Sequence, residues 1–245
     1  MMKNRLIYLI KGELLRLIKY RVITISVLLA SLWSIILFFV ELDIFQVVLP
    51  MIILVDATMM SMMYIGAVMF FEKKESTMSS MLVTPSKNSE LILSKIIANT
   101  IHNFLSSALI VAVFIIIKEV QVNYFLITIA IILVTLFHTS LGLFLSYYQK
   151  DFTSLLMMVM TFSFLLVIPS ILVMVGVFND PAWDYILLIN PVHSASIIIS
   201  NSFLPNTIDW QFYTSIGYLL IFGIVLYRFL ILPKFKDYAV SISGV

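Results

Sequence analysis

Residues 124–148 read Y-F-L-I-T-I-A-I-I-L-V-T-L-F-H-T-S-L-G-L-F-L-S-Y-Y, with no charged side chain in the run. A helix needs about 20 mostly apolar residues to cross the hydrocarbon core of a bilayer, so this stretch predicts a membrane-spanning helix. Working outward, five further segments meet the same requirement: 22–40, 45–71, 96–117, 155–178 and 212–232. None shows the short alternating pattern of an outer-membrane barrel strand. The first is too long to be a removable signal peptide and lacks a small-residue cleavage site. The whole chain agrees with this reading. Of its 245 residues 62% are hydrophobic and 11% charged, against about 45–50% and about 25% in soluble domains. A mean hydropathy of +1.10 excludes a soluble enzyme. A net charge of +2 is no nucleic-acid footprint, and disorder requires low hydrophobicity. The expected fold is an all-α polytopic membrane protein of six transmembrane helices, forming a single transmembrane domain over residues 1–245.

The few charges are sorted. Six spans put both termini on one side, together with the second-to-third and fourth-to-fifth loops. Every Lys and Arg except Lys118 falls on that side. The long fifth-to-sixth connection holds Asp180, Asp184 and Asp209 and no basic residue. Basic loops stay in the cytoplasm, so both termini are expected there.

Three segments are not spans. Residues 3–20 place Leu6, Ile7, Ile10, Leu14, Leu17 and Ile18 on one arc, with Lys11, Glu13, Arg16 and Lys19 away from it. Such a pattern predicts a helix lying in the interface; with its flanks it occupies 1–21. The inner loop 72–95 is longer than a passive turn requires. Thr77 offers a cap for a short helix ending before Pro85, because the residue before proline disfavours helix. Ser86, Ser89 and Glu90 offer start signals for the third span. The outer connection 179–211 contains apolar pieces at 185–189 and 197–199, each too short to span. Re-entrant helices separated at Asn190-Pro191 are expected there.

Catalytic chemistry is sparse. There is no cysteine, which removes disulfides, thiolate metal sites and thiol nucleophiles. No G-x-x-x-x-G-K-[ST] phosphate loop is present, and His102, His138 and His193 lack metal-ligand spacing. Asp56 is the anomaly, lying near the middle of the second span, where a charge costs about 2.5–3.5 kcal/mol on insertion scales. It reads either as a substrate-pathway or proton-relay carboxylate, or as a neutral Asp hydrogen-bonded to a neighbouring helix or a second subunit. His102 and His138 are its conceivable protein partners. Methionines cluster at 59, 60, 62, 63 and 69 and again at 157, 158 and 160. They fit an adaptable apolar ligand surface or ordinary gap filling. The candidate substrate pathway comprises Asp56, Met59, Met63 and His102.

The stretch F-E-K-K-E-S-T-M-S-S-M-L-V-T-P-S-K-N-S-E-L-I-L-S-K, residues 71–95, resembles the cytoplasmic loop of type 2 ATP-binding-cassette exporter permeases. Glu72, Glu75, Thr77, Leu82, Thr84, Pro85, Glu90 and Lys95 match the pattern of that family, while Ser76 replaces its usual glycine. Asn190-Pro191 matches a second landmark. The V-D-A-T segment at 55–58 looks closest to the fluoroquinolone-export-type permeases. The resemblance implies a dimer of six-span subunits in a prokaryotic plasma membrane, working with two separate ATPase subunits that carry ATP and Mg. This chain would bind no cofactor of its own. Residues 3–20 would be an elbow helix and 72–84 the coupling helix. Glu72, Glu75, Thr77, Leu82 and Pro85 would couple to the ATPase, with Glu72 and Glu75 near its surface. Residues 181–205, with Asn190 and Pro191, would form an outer gate. The implied activity is efflux of an amphiphilic substrate, such as a drug in multidrug export, a peptide or a lipid-like molecule. The alternatives are a proton-coupled secondary transporter using Asp56, or a non-transport immunity or scaffold protein.

Overall fold

The computed structural model describes residues 2–39, 42–118, 121–178, 180, 182–203 and 208–240. It is helical throughout, with no strand among the described residues. In chain order the helices are α1 (Met2–Lys19), α2 (Val22–Phe38), α3 (Leu42–Val55), α4 (Ser61–Lys74), α5 (Thr77–Leu82) and α6 (Asn88–Lys118). There follow α7 (Tyr124–Ser146), α8 (Phe152–Met174), α9 (Ala182–Leu187), α10 (Pro191–Ser200), α11 (Trp210–Val225) and α12 (Leu232–Val240). A π-helical turn, Asp56–Met60, joins α3 to α4, and a second, Leu226–Ile231, joins α11 to α12.

Five helical stretches are long and apolar enough to cross a bilayer: Val47–Lys74, Asn88–Ile116, Tyr124–Ser146, Phe152–Met174 and Trp210–Val240. The first expected span is shorter than the sequence suggests. α2 has 17 residues, or about 26 Å at 1.5 Å per residue. It reaches six spans only when taken with α1, from which it is bent by 66°. Arg21 makes that bend with a left-handed backbone, φ 61°. Val40, the expected end of this span, and positions 179, 181 and 204–207 of the outer connection lie outside the described residues. The third span starts earlier than hydropathy indicates, at Asn88, and the last continues to Val240. The polar start of the third span belongs to one continuous α-helix, and the polar end of the last follows a π-helical turn.

Short polar side chains set the starts. Asn123, Asp151, Asn190 and Asp209 each accept a hydrogen bond from a backbone N–H two or three residues on, opening α7, α8, α10 and α11. Each satisfies a donor that the first helical turn leaves free. The core lies between α3/α4, α6 and α7, with α10 closing one end against α3, α7, α8 and α11. Inside a bilayer, helices associate by close contact and hydrogen bonds. Both occur here. Gly142 of α7 lies so near α4 that a Cβ there would stand 2.6 Å from the Met62 Cα. Asn99 of α6 donates to the Ser61 carbonyl at 3.1 Å and to Thr139 Oγ1 at 2.8 Å, linking α4, α6 and α7.

Candidate functional site: the inner loop and its buried charge cluster

The loop between the second and third spans forms a short helix, as its sequence suggests. α4 ends at Lys74, Glu75 and Ser76 turn the chain, and α5 runs from Thr77 to Leu82, before Pro85. The cap position falls on Ser76 rather than Thr77, and Ser76 makes no side-chain cap bond. Ser76 has φ 56°, so a serine makes this turn in the left-handed region. Only glycine adopts that region without strain. At the far end Glu90 accepts from the Lys87 N–H at 2.9 Å, half of a capping box that starts α6. Arg5 donates to the Pro85 carbonyl at 2.7 Å, which draws the loop toward α1.

The base of this loop is ionic and buried. Lys95 of α6 donates to Glu13 Oε1 at 3.0 Å and to Glu72. Arg16 reaches Glu13 at 2.5 Å and Glu72 at 3.1 Å. Glu72 is 0% exposed, Lys95 1% and Glu13 3%. Two carboxylates and two cations therefore close a neutral ring joining α1, α4 and α6. Two expectations change here. Glu72 has no surface to offer a partner, because its carboxylate is consumed inside the ring. Glu13, expected on the polar solvent face of α1, is turned inward. Burial opposes ionisation of Glu13, but Lys95 and Arg16 outweigh it and hold the carboxyl below its ordinary range. Buried charges of this kind must be paired. The basic run of α1 hid the cluster from the sequence. The signal that could have found it is a lone glutamate within that run, matched by Lys95 at the start of a span.

Glu75, by contrast, stays at the surface. It accepts from Lys19 at 2.6 Å and from the Tyr20 hydroxyl at 3.0 Å. Those two donors hold its carboxyl below the usual glutamate range. Leu82 is half-buried, and Thr84 and Pro85 are exposed. Val83 is 86% exposed, an apolar side chain standing in a polar loop.

Asp56 is buried in the π-helical turn, and its partners differ from those expected. Ser107 donates to Oδ2 at 2.6 Å and Ser106 lies 3.4 Å from Oδ1. His102 instead packs its ring 5.3 Å from that of Tyr64. His138 bonds through Nδ1 to the Val134 carbonyl of its own helix. Serine hydroxyls one turn beyond His102 supply what the histidines were expected to supply. Met59 is buried and Met63 packs half-buried beside Leu145, Leu155 and Val159.

In the outer connection, α9 and α10 are separated at Asn190-Pro191, with Pro191 the first residue of α10. Pro suits that position, where its missing N–H costs nothing. α10 buries Val192 through Ser196. Asn190 does two jobs. Its Oδ1 accepts from the Val192 N–H at 2.9 Å, and its Nδ2 donates to the Leu166 carbonyl of α8 at 2.7 Å, close to Pro169 within that helix.

A bundle of apolar helices with a bent amphipathic helix at its start, a short helix between the second and third spans and a buried outer helix defines an all-α polytopic membrane protein. Residues 40–232 match the ABC-2 family transporter protein, and the chain belongs to that family. The match begins beyond α1 and α2. Neither the curated proteins nor the solved structures compared with the chain match it. A member of this family is a membrane subunit for transport and is not itself catalytic, the ATPase being a separate chain. Membership implies partnership with ATP-binding-cassette ATPase subunits.

Proposed function

We propose that this chain is the membrane subunit of an ATP-driven exporter. Two copies, or one copy and a paralogue, work with two ATPase subunits to move an amphiphilic drug, peptide or lipid-like substrate outward. Both termini lie on the cytoplasmic side of a prokaryotic plasma membrane, as the distribution of Lys and Arg indicates. The observation that carries the reading is the ionic ring beneath α5. A docking helix transmits force only if its base is rigid, and Glu72 ties that base to both α1 and α6. Glu75, Thr77, Leu82 and Pro85 belong to the docking segment, whose outermost apolar side chain is Val83. Glu72 serves beneath it, as an anchor. ATP and Mg sit on the partner, since this sequence contains no phosphate loop. Asn190 and Pro191 set the position of the outer gate helix α10 against α8.

The test is co-purification. The full chain, affinity-tagged and co-expressed with an ATP-binding-cassette ATPase, retains that ATPase in detergent and shows vanadate-sensitive ATP hydrolysis. Absence of both, with substrate flux that follows the proton gradient, overturns the proposal in favour of proton-coupled transport through Asp56.

A further inference from the structure

α5 does not stand alone. Its inward side chains Met78 and Met81 share a buried cluster with Phe235, Tyr238 and Ala239 of α12. Ser79 Oγ donates to the Ala239 carbonyl at 3.0 Å. Lys73 lies 4.5 Å from the Tyr238 ring centroid, and Tyr147 stacks on the same ring at 4.6 Å. Ser79 is itself exposed, so the seam between the two helices reaches the surface. Lys236 is exposed and, three residues from Ala239 on a helix, occupies a neighbouring position. Lys234 turns to the other edge and meets Tyr148.

We propose that α12 completes the docking surface begun by α5: the ATPase subunit seats on both helices, taking Val83 into an apolar pocket and placing acidic side chains against Lys87 and Lys236. The proposal rests on the docking reading above. Two features favour a protein partner over a lipid surface. α1 turns Ile7, Tyr8, Leu15 and Ile18 outward, a row suited to the bilayer interface. The outward side of α5, the residues just after it and α12 is mainly polar: Ser79, Ser80, Thr84, Lys236 and Asp237 are exposed there, Val83 is the most exposed apolar residue and Val240 is a second. An apolar anchor within a polar rim is the composition of a protein interface. Lys87 and Lys236, both exposed, select an acidic counterpart. Because α12 continues the last span through a π-helical turn, one docking event would hold the second, third and last spans together.

The test uses the full chain co-expressed with its ATPase, with p-benzoylphenylalanine replacing Val83, Lys236 or, as a control on the apolar flank of α11, Leu220. Irradiation is expected to give an ATPase adduct from positions 83 and 236 and none from 220. In parallel, Lys236→Glu should lower ATPase recovery about fivefold, the scale of an exposed charge contact, while Lys11→Glu on α1 leaves it unchanged. An adduct from 83 without one from 236 overturns the role of α12 and leaves docking through α5 standing. A lipid adduct in place of the ATPase at 236 likewise overturns it. No ATPase adduct from either position removes the docking reading itself. Equal loss in Lys236→Glu and Lys11→Glu attributes recovery to general charge, and the role of α12 fails.

Discussion

Replacing Lys95 by Met should be the most damaging single change in the inner half of the bundle. Lys95 is nine-tenths or more enclosed and contacts two carboxylates, Glu13 and Glu72. Its removal leaves two buried negative charges sharing Arg16, whose side chain is 24% exposed. At an effective dielectric of about 20, one contact near 3 Å is worth about 5 kcal/mol before desolvation. Most of that offsets the cost of burying the ions, yet stranding a partner costs about 3–5 kcal/mol. For a chain of this size that corresponds to a fall of about 6–20 °C in melting temperature, measured by fluorescence-detected size exclusion after heating in detergent. Lys95→Met combined with Glu72→Gln restores charge balance, leaving Glu13 paired with Arg16, and should recover much of the loss. Lys19→Met, which breaks the exposed pair with Glu75 and the contact of the ammonium with the Tyr20 ring, should cost under about 1 kcal/mol. Equal shifts for Lys95→Met and Lys19→Met, or no recovery in the double variant, would refute the closed ionic ring.

Three other outcomes follow from the packing and hydrogen bonds. Gly142→Ala forces a Cβ to 2.6 Å from the Met62 Cα, so α4 and α7 must separate at a cost of about 1–3 kcal/mol; an unshifted melting temperature would mean that the helices are not so close. Asp56→Asn keeps an amide oxygen to accept from Ser107, so the variant should fold and retain ATP-driven transport to within roughly a factor of two, since the hydrogen bond survives. Loss of transport in a well-folded Asp56→Asn protein would instead mark Asp56 as a proton carrier. Asn190→Asp retains the cap of α10 but loses the donor to Leu166, whereas Asn190→Ala loses both, at about 1 kcal/mol more; equal stability of the two would remove the cap from the account.

Much of this architecture is legible locally, because hydropathy, proline and short polar caps act over a few residues. The six-residue helix before Pro85 and the break at Asn190-Pro191 both stand where the sequence places them. What escapes is long-range or conformational. Lys95 and Glu13 are 82 residues apart, and on a helical wheel Glu13 belongs with its cationic neighbours facing water. The packing of α12 on α5 joins Ser79 to Ala239, 160 positions away. Ser76 reads as a departure from a glycine turn, yet the chain enforces that turn on a serine. Asp56 invites a histidine partner, but the π-helical turn presents it to Ser106 and Ser107, and such a turn leaves no pattern in hydropathy.

The central claim is that force from a separate ATPase enters through α5. The most direct measurement is vanadate-sensitive ATP hydrolysis and substrate efflux in vesicles holding the chain and its ATPase, compared with Glu75→Lys. That substitution sets two lysines against each other at the turn where Lys19 meets Glu75, leaving the buried ring intact. The account predicts continued ATP hydrolysis with efflux uncoupled from it and normal membrane insertion. Efflux that remains tied to hydrolysis in Glu75→Lys, or that runs without the ATPase, would contradict it.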